Sequence, residues 1–207
     1  MPAKIDYKRQ EKQLYVPKSE PAIVDVPAMT FIAIDGEGDP NGPAFAQETE
    51  ALYSVSYAVK MSYKGSDVPE GYYEYTVYPL EGVWSLVDLT RPATDKTNLK
   101  YTLMIRQPSF LTTALFRAFV DKTAAKKPNP QLARLSLVDI ADGLSCQMMH
   151  LGSYDDEPAS FGQMEAFCAE AGYARMSKEH REIYLSDPRK TAPDKLRTVL
   201  RFAVAKA

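Results

Sequence analysis

The sequence predicts an α+β fold of duplicated β-α-β-β modules, related by pseudo-two-fold symmetry and forming a central ligand groove. Three observations predict it. The order strand, loop, helix, strand, strand occurs twice along the 207 residues. Similar turn-rich landmarks, "IDGEGDP" and "HLGSYDDEP", precede the helix of each copy. Within each copy the apolar pattern changes from a short β-branched run to helical spacing and back. The first repeat spans approximately residues 28–107 and the second approximately 131–207, with a linker helix at about 109–130 between them. The whole is read as one domain.

Ahead of the first repeat, Pro2, Pro17, Pro21 and Pro27 lie among charged residues, which suits an extended N-terminal arm packed along the domain. "AMTFIAIDG" then reads as a strand stopped by the Gly, Asp, Pro and Asn of "DGEGDPNGP". From Pro43 to Lys60, Phe45, Leu52, Val55 and Val59 recur at helical spacing, with Ala51 and Ala58 on the same face. That is a helix of about four to five turns. "GYYEYTVYPLEGVWSL" and "NLKYTLMIRQP" complete the repeat as two strands.

Ser109, after Pro108, is placed to cap the linker helix, whose apolar face comprises Phe110, Leu111, Ala114, Leu115, Ala118 and Phe119 and which ends at "KKPNPQ". The second repeat follows with "LSCQMMHLG" as strand, "SYDDEP" as loop and a helix from Pro158 to Ala171, stopped by Gly172. "HREIYLSD" and "KLRTVLRFAVA" are its last two strands. Each helix covers one face of its sheet, which leaves the opposite faces to meet along a shared cleft.

Composition narrows the function. A net charge of −2 with acids and bases interspersed gives no basic footprint for nucleic acid. No apolar run reaches the length of a membrane span, and the charged start "MPAKIDYKRQEKQLY" does not resemble a secretory leader. Cys146 and Cys168 stand outside any CxxC spacing, so the expectation is a reduced, cytoplasmic protein. GxxxxGK[ST], GxSxG and HExxH are absent, and with only His150 and His180 available, neither a metal nor an organic cofactor is expected. "GEGDPNG" lacks the register of a phosphate loop, and Glu37 and Asp39 would repel a phosphate, so it reads as a turn.

The residue that stands out is Glu182. Alternation along "KEHREIYLSD" sets Ile183 and Leu185 toward the helix-covered side and His180, Glu182 and Tyr184 toward the other. A strand glutamate facing bulk water would carry no function. The thirteen tyrosines and the single tryptophan change that balance. Tyr53 and Tyr57 on a helix, Tyr73, Tyr75, Trp84 and Tyr101 on strands, and Tyr154 before the second helix all fall where they can border the cleft. Phe45 and Met104 are placed to line it too, although the same spacing suits a helix-covered core. An aromatic groove with one desolvated carboxylate binds planar or cationic molecules and raises the pKa of the acid. His150, at a strand end, is expected to hydrogen-bond the following loop.

Five ordered segments carry a resemblance: "MTFIAIDGEGDPNG", "ALYSVSYAVKM", "YPLEGVW", "QMMHLGSYDDEPASF" and "REIYLSDPRKTAPDKLRTVLR". Together they resemble the stand-alone branch of the GyrI-like small-molecule-binding superfamily over nearly the whole chain. The resemblance implies two β-α-β-β modules around a groove in which a glutamate and aromatic residues hold cationic or planar ligands, as in multidrug-binding regulators. Some stand-alone relatives look like hydrolases that open the cyclopropane of duocarmycin-type DNA alkylators, a detoxification. The family's acidic strand position matches Glu182 in "REIYL", and the aromatic position of its "PLEGLWW" motif matches Trp84 in "PLEGVWS". Ser85 stands where that motif has a second tryptophan.

The expected mechanism has Glu182 deprotonate a water that attacks the cyclopropyl methylene, with the hydroxyl of Tyr101 or Tyr184 stabilising the phenolate. Trp84, Phe45, Tyr53, Met104, Tyr154 and His180 are the expected ligand-binding residues. Two alternatives stay open: a non-catalytic drug-binding sink or sensor, and an interaction protein that inhibits DNA gyrase. The expected partner is a small aromatic or cationic molecule, bound by a monomer or weak homodimer without nucleic acid or membrane.

Overall fold

The computed structural model describes residues 4–66, 68–92 and 95–207. In chain order the described elements are α1 (Tyr7–Gln10), α2 (Lys12–Tyr15), β1 (Ala22–Val26), β2 (Met29–Glu37), α3 (Pro43–Lys60), β3 (Leu80–Leu86), β4 (Leu99–Arg106), α4 (Thr113–Lys126), β5 (Ser136–Ile140), β6 (Gly143–Leu151), α5 (Glu157–Glu170), β7 (Tyr173–Arg175), β8 (His180–Tyr184) and β9 (Arg197–Lys206). The chain divides into two compact units. The first holds the chain up to Asp6 with Met29–Leu80 and Leu86–Ile140; the second holds Tyr7–Ala28, Glu81–Ser85 and Ala141–Ala207.

In the first unit β2 is the middle strand of an antiparallel sheet, paired with β4 on one side and β5 on the other. Ile32 and Ile34 lie opposite Ile105 and Leu103, so four branched side chains share one face. Helix α3 lays Ala51, Leu52, Val55 and Val59, all fully buried, on that side of the sheet. The helix has the bounds the sequence predicts, because Pro43 pre-sets its first turn and needs no N–H partner there.

The linker helix starts later than Ser109. Thr112 is the N-cap, its hydroxyl accepting from the Leu115 amide at 3.3 Å, and α4 begins at Thr113. Phe110 and Leu111 are buried ahead of it, and the Ser109 amide donates to Tyr73 Oη. Tyr73 and Tyr75 lie outside the named strands; their rings pack edge-on against Phe110 at centroid distances of 5.4 and 6.2 Å. The segment before Pro79 pairs only through a single bridge, Tyr75 with Ile5, so it forms no regular strand, and β3 starts at Leu80.

The second unit is an antiparallel sheet in the order β1-β6-β9-β8, continued by Glu81–Trp84 of β3 along β8, with β7 added on β9. Helix α5 covers one face through Met164 and Cys168, which pack on Cys146, Met148, Leu200, Phe202 and Val204. The opposite face carries Gln147, Arg181 and Arg201, and the N-terminal arm closes it. Arg201 Nη2 donates to the Leu14 carbonyl at 2.9 Å, Gln147 Nε2 donates to the Gln13 carbonyl, and the Met149 amide donates to Lys18 O at 2.8 Å. The arm is therefore partly regular, with α1, α2 and β1 in it, where the sequence suggested only an extended segment.

Two strands were not foreseen besides β1. β5 is a five-residue edge of exposed and half-buried residues and β7 is three residues long; both are too short to show a period. Among the described residues no helix is long and apolar enough to cross a membrane.

Candidate functional site

The cross-strand register settles which way Glu182 points. Glu182 is paired with Leu200, and Leu200 with Met148, so the three share a face. Leu200 and Met148 belong to the core under α5. Glu182, with His180 and Tyr184, thus lies on the helix-covered face, and Ile183 on the face closed by the arm. This reverses the assignment made from alternation. Ile183 gave no warning, because both faces of β8 are covered: Arg181, Glu182 and Ile183 are all buried.

Around Glu182 the second unit gathers a connected polar chain. Trp84 Nε1 donates to Tyr184 Oη at 2.8 Å, and that hydroxyl donates to Glu182 Oε2 at 2.8 Å. His180 Nε2 lies 3.2 Å from Glu182 Oε1, while its Nδ1 lies 3.3 Å from the Lys178 carbonyl, so both ring nitrogens face oxygen. The Phe161 ring stands edge-on to His180 at 4.7 Å and holds the imidazole in place.

Gly82 makes the Trp84–Tyr184 bond possible. It is the cross-strand partner of Glu182, and a Cβ there would lie 2.6 Å from Trp84 Nε1 and 3.2 Å from Tyr184 Oη. With only hydrogens at position 82, the indole crosses the strand pair to reach the tyrosine. The "EGVW" of the sequence is therefore one unit of structure: the glycine is the space the tryptophan uses.

A second carboxyl completes the group. Glu157, the first residue of α5, is 6% exposed and hydrogen-bonded to Glu182, itself 8% exposed. Burial, and after it the charge of Glu182, push the Glu157 carboxyl up to about 10. Two buried carboxyls in contact cannot both ionise, so the pair holds one proton near neutral pH. Glu157 Oε1 is buried with no hydrogen-bond partner among the described residues. Burial and the Glu182 carboxylate likewise hold the Tyr184 phenol well above its ordinary value.

His150 supports this arrangement as a loop-bonding residue. Its Nε2 donates to the Ser153 carbonyl at 2.9 Å, and Nδ1 lies 2.9 Å from Ser160 Oγ, so the ring joins β6, the following loop and α5. That loop carries Tyr154, whose ring stands edge-on to Tyr184 at 6.0 Å and is 37% exposed. Burial, then Glu182 and Glu157, raise the Tyr154 phenol to about 12. Tyr154 forms the solvent-facing border of the group.

On the arm-covered face of the same strand pair, Arg181 joins β3 and β8. Its Nη1 donates to Glu81 Oε2 at 3.0 Å, and Nε and Nη2 grip the Asp142 carboxylate at 2.7 and 2.6 Å. Arg201 reaches the same Asp142 at 3.3 Å. These buried ion pairs fix the strands whose other face presents Trp84 and Glu182.

Of the sequence-predicted residues, the second unit brings together Glu182, Tyr184, Trp84, Tyr154 and His180. Tyr101, Phe45, Tyr53 and Met104 belong to the first unit. There Tyr101 Oη donates to Glu48 Oε2 at 2.9 Å, with Phe45 edge-on at 5.3 Å. Gly36 leaves room for this pair, since a Cβ at that position would lie 2.3 Å from the tyrosine ring. Glu48 also ion-pairs with Arg134 at 2.9 Å. Tyr53 packs on Tyr57 at 6.3 Å, and Met104, 1% exposed, lies on the β4 face opposite Tyr101.

Sequence reasoning missed Glu157 and Gly82. An acid at the first position of a helix reads as a complement to the helix dipole, so "YDDEP" offered nothing to mark Glu157 as buried. The glycine was legible as a strand irregularity in "PLEGVWS", which signals a close approach.

Comparison with known proteins places the chain in a family. A sequence model described as the GyrI-like small molecule binding domain matches residues 19–205. A crystal structure of an uncharacterized conserved protein from Listeria innocua is 36% identical, with a TM-score of 0.92, over 98% of this chain and 100% of that one. Another from Listeria innocua, described as a hydrolase, is 35% identical over the same shares, with a TM-score of 0.90. The C-terminal domain of EcmrR, 11% identical with a TM-score of 0.52 over 91% of this chain and 98% of that one, shares the fold alone. No curated protein matches the chain.

Proposed function

The chain belongs to the GyrI-like small-molecule-binding family, and from that premise and the Glu157–Glu182 pair we propose that it hydrolyses strained, planar electrophiles of the cyclopropanoid DNA-alkylator type. The observation that carries this reading is a pair of buried acids, Glu157 and Glu182, where burial and the neighbouring charge favour the protonated form of Glu157. One can give a proton while the other takes one. The hydrolase description of a relative 35% identical supports the same class of reaction.

Ring opening needs a base for water and an acid for the leaving oxygen. Glu182 accepts a proton from the water as its oxygen bonds to the cyclopropyl methylene. The carbon–carbon bond to the ring breaks, its electron pair passes to the dienone oxygen, and Glu157 protonates the resulting phenolate. Glu182 then returns its proton to Glu157 across their hydrogen bond. Tyr184 is a positioning residue, since its proton is directed at Glu182 Oε2 and Trp84 Nε1 fixes the hydroxyl in turn. Tyr101 donates to Glu48, so the role of oxyanion donor passes from the tyrosines to Glu157. Acid–base assistance of this kind supplies about 10²–10⁴ in rate, and ring strain supplies much of the remainder.

The first unit also holds a buried glutamate bonded to a tyrosine, Glu48 with Tyr101, but there Arg134 ion-pairs with the carboxylate. Among the described residues the only basic group paired with Glu182 is His180. A carboxyl pair without an arginine keeps the proton that the chemistry uses.

Incubation of the protein, well below stoichiometry, with a duocarmycin-type cyclopropanoid tests the proposal by the mass of the small molecule. Full conversion to the water adduct is expected, and lost in Glu182→Gln with binding retained. One equivalent of unchanged ligand bound identifies a sink, with Glu182 a counter-ion. Inhibition of supercoiling by the protein alone identifies a gyrase inhibitor.

A further inference from the structure

We infer that the same carboxyl pair opens aryl epoxides to vicinal diols, a second class of strained three-membered electrophile; this rests on the acid–base reading above. The argument starts from how much acid the site retains. Glu157 is buried, contacts an acid and not a base, and has one oxygen, Oε1, with no partner among the described residues. A buried polar atom without a partner costs stability. The fold keeps one beside Glu182, where a ligand oxygen or donor can complete it.

Cyclopropanoid opening makes limited use of that acid. The oxygen it releases becomes a phenolate, whose conjugate acid has a pKa of about 10. Epoxide opening releases an alkoxide, about as basic as hydroxide and far more basic than a phenolate. The more basic the leaving oxygen, the more its departure depends on a proton delivered in the transition state. A buried acid set against a second buried carboxyl, with one oxygen left open for a ligand, matches the epoxide better than the cyclopropane.

The step balances without a co-reactant. Water loses a proton to Glu182 as its oxygen bonds to the benzylic or terminal carbon. The carbon–oxygen bond at that carbon breaks, and Glu157 protonates the departing oxygen. The diol leaves with the elements of water added, and the proton on Glu182 returns to Glu157. The apolar half of the substrate meets aromatic surface: Tyr184 and Tyr154 stand edge-on, and the Trp84 indole is held beside them by its bond to Tyr184. Flat aryl groups suit such surfaces.

The test uses the full chain with styrene oxide in ¹⁸O-water, a cyclopropanoid being run in parallel. The expected result is catalytic formation of phenylethanediol carrying one ¹⁸O even in a single turnover. Glu157→Gln should lower epoxide opening about 100-fold or more but cyclopropanoid opening about tenfold or less, with Glu157→Asp recovering part of the epoxide rate. Circular dichroism of each variant reports that it is folded. Cyclopropanoid turnover with no diol above the spontaneous rate overturns the inference and leaves the proposed function standing. Equal losses on both substrates in Glu157→Gln also overturn it, because the acid would not discriminate leaving groups. Diol without ¹⁸O in a single turnover overturns the water-attack step by placing the carboxylate oxygen in the product. Diol formation without cyclopropanoid turnover supports the inference and removes the cyclopropanoid reading.

Discussion

Glu157→Gln also makes a stability measurement that isolates the buried proton. The amide keeps the shape of the side chain and a donor for Glu182, but it does not titrate. In the folded protein, burial and then Glu182 raise the Glu157 carboxyl from 4.5 to about 10. In the unfolded chain it ionises near its ordinary value. Because the folded value is raised, the stabilising contribution is fully present below about 4.5 and is lost as pH rises toward about 10. Over that window the folded state binds one more proton, which costs the wild type about 1.4 kcal/mol per pH unit. Between pH 6 and pH 8 this amounts to about 2.7 kcal/mol that Glu157→Gln does not lose. Urea unfolding of both proteins at three pH values in that range reads the difference directly. The variant should gain on the wild type as pH rises. A stability difference that stays constant with pH means Glu157 is ionised when folded, and the acid–base assignment fails with it.

Gly82→Ala should drive the indole off Tyr184, because its Cβ would lie 2.6 Å from Trp84 Nε1; since Trp84 is the single tryptophan, intrinsic fluorescence reports the movement, and turnover should drop about tenfold with loss of a bond of roughly 1 kcal/mol. An unchanged emission spectrum would contradict the packing argument. Tyr184→Phe removes a donor to a carboxylate and the acceptor of Trp84 Nε1, and should cost about 1.5–3 kcal/mol in urea unfolding while lowering kcat more than it raises KM. Arg181→Met leaves Glu81 buried beside an incomplete ion-pair group and should cost about 3–5 kcal/mol, most of which a further Glu81→Leu restores; a cost below about 1 kcal/mol in the single variant would show that the group is not desolvated.

The elements that were legible are those with a period to read. Helix α3 runs from Pro43 to Lys60 as its 3.6-residue spacing and its first-turn proline require. Likewise β2, β4, β6 and β9 fall on the β-branched and aromatic runs that predict them. Helix α4 was misplaced at its start because Ser109 and Thr112 are both good caps; burial of Phe110 and Leu111 in the preceding turn decides for the threonine. Glu182 was legible as an exceptional residue from its aromatic company. Its direction was not, because alternation separates two faces without saying what covers either. For β8 the covers are α5 on one side and an arm more than a hundred residues earlier in the chain on the other.

The sequence by itself determined where the long, periodic strands and helices form, which residues of one strand share a face, and that an acid, a tryptophan and several tyrosines lie on or beside strands. These are short-range consequences of backbone period and side-chain shape. Only the tertiary structure decided that Glu157 meets Glu182, that Gly82 makes room for Trp84 to reach Tyr184, and that Arg134 ion-pairs with Glu48 while no arginine among the described residues does so with Glu182. Each of these depends on desolvation and on contacts between segments far apart in the chain. A carboxyl has its ordinary acidity until the fold removes its water, and at position 157 that removal favours the protonated form.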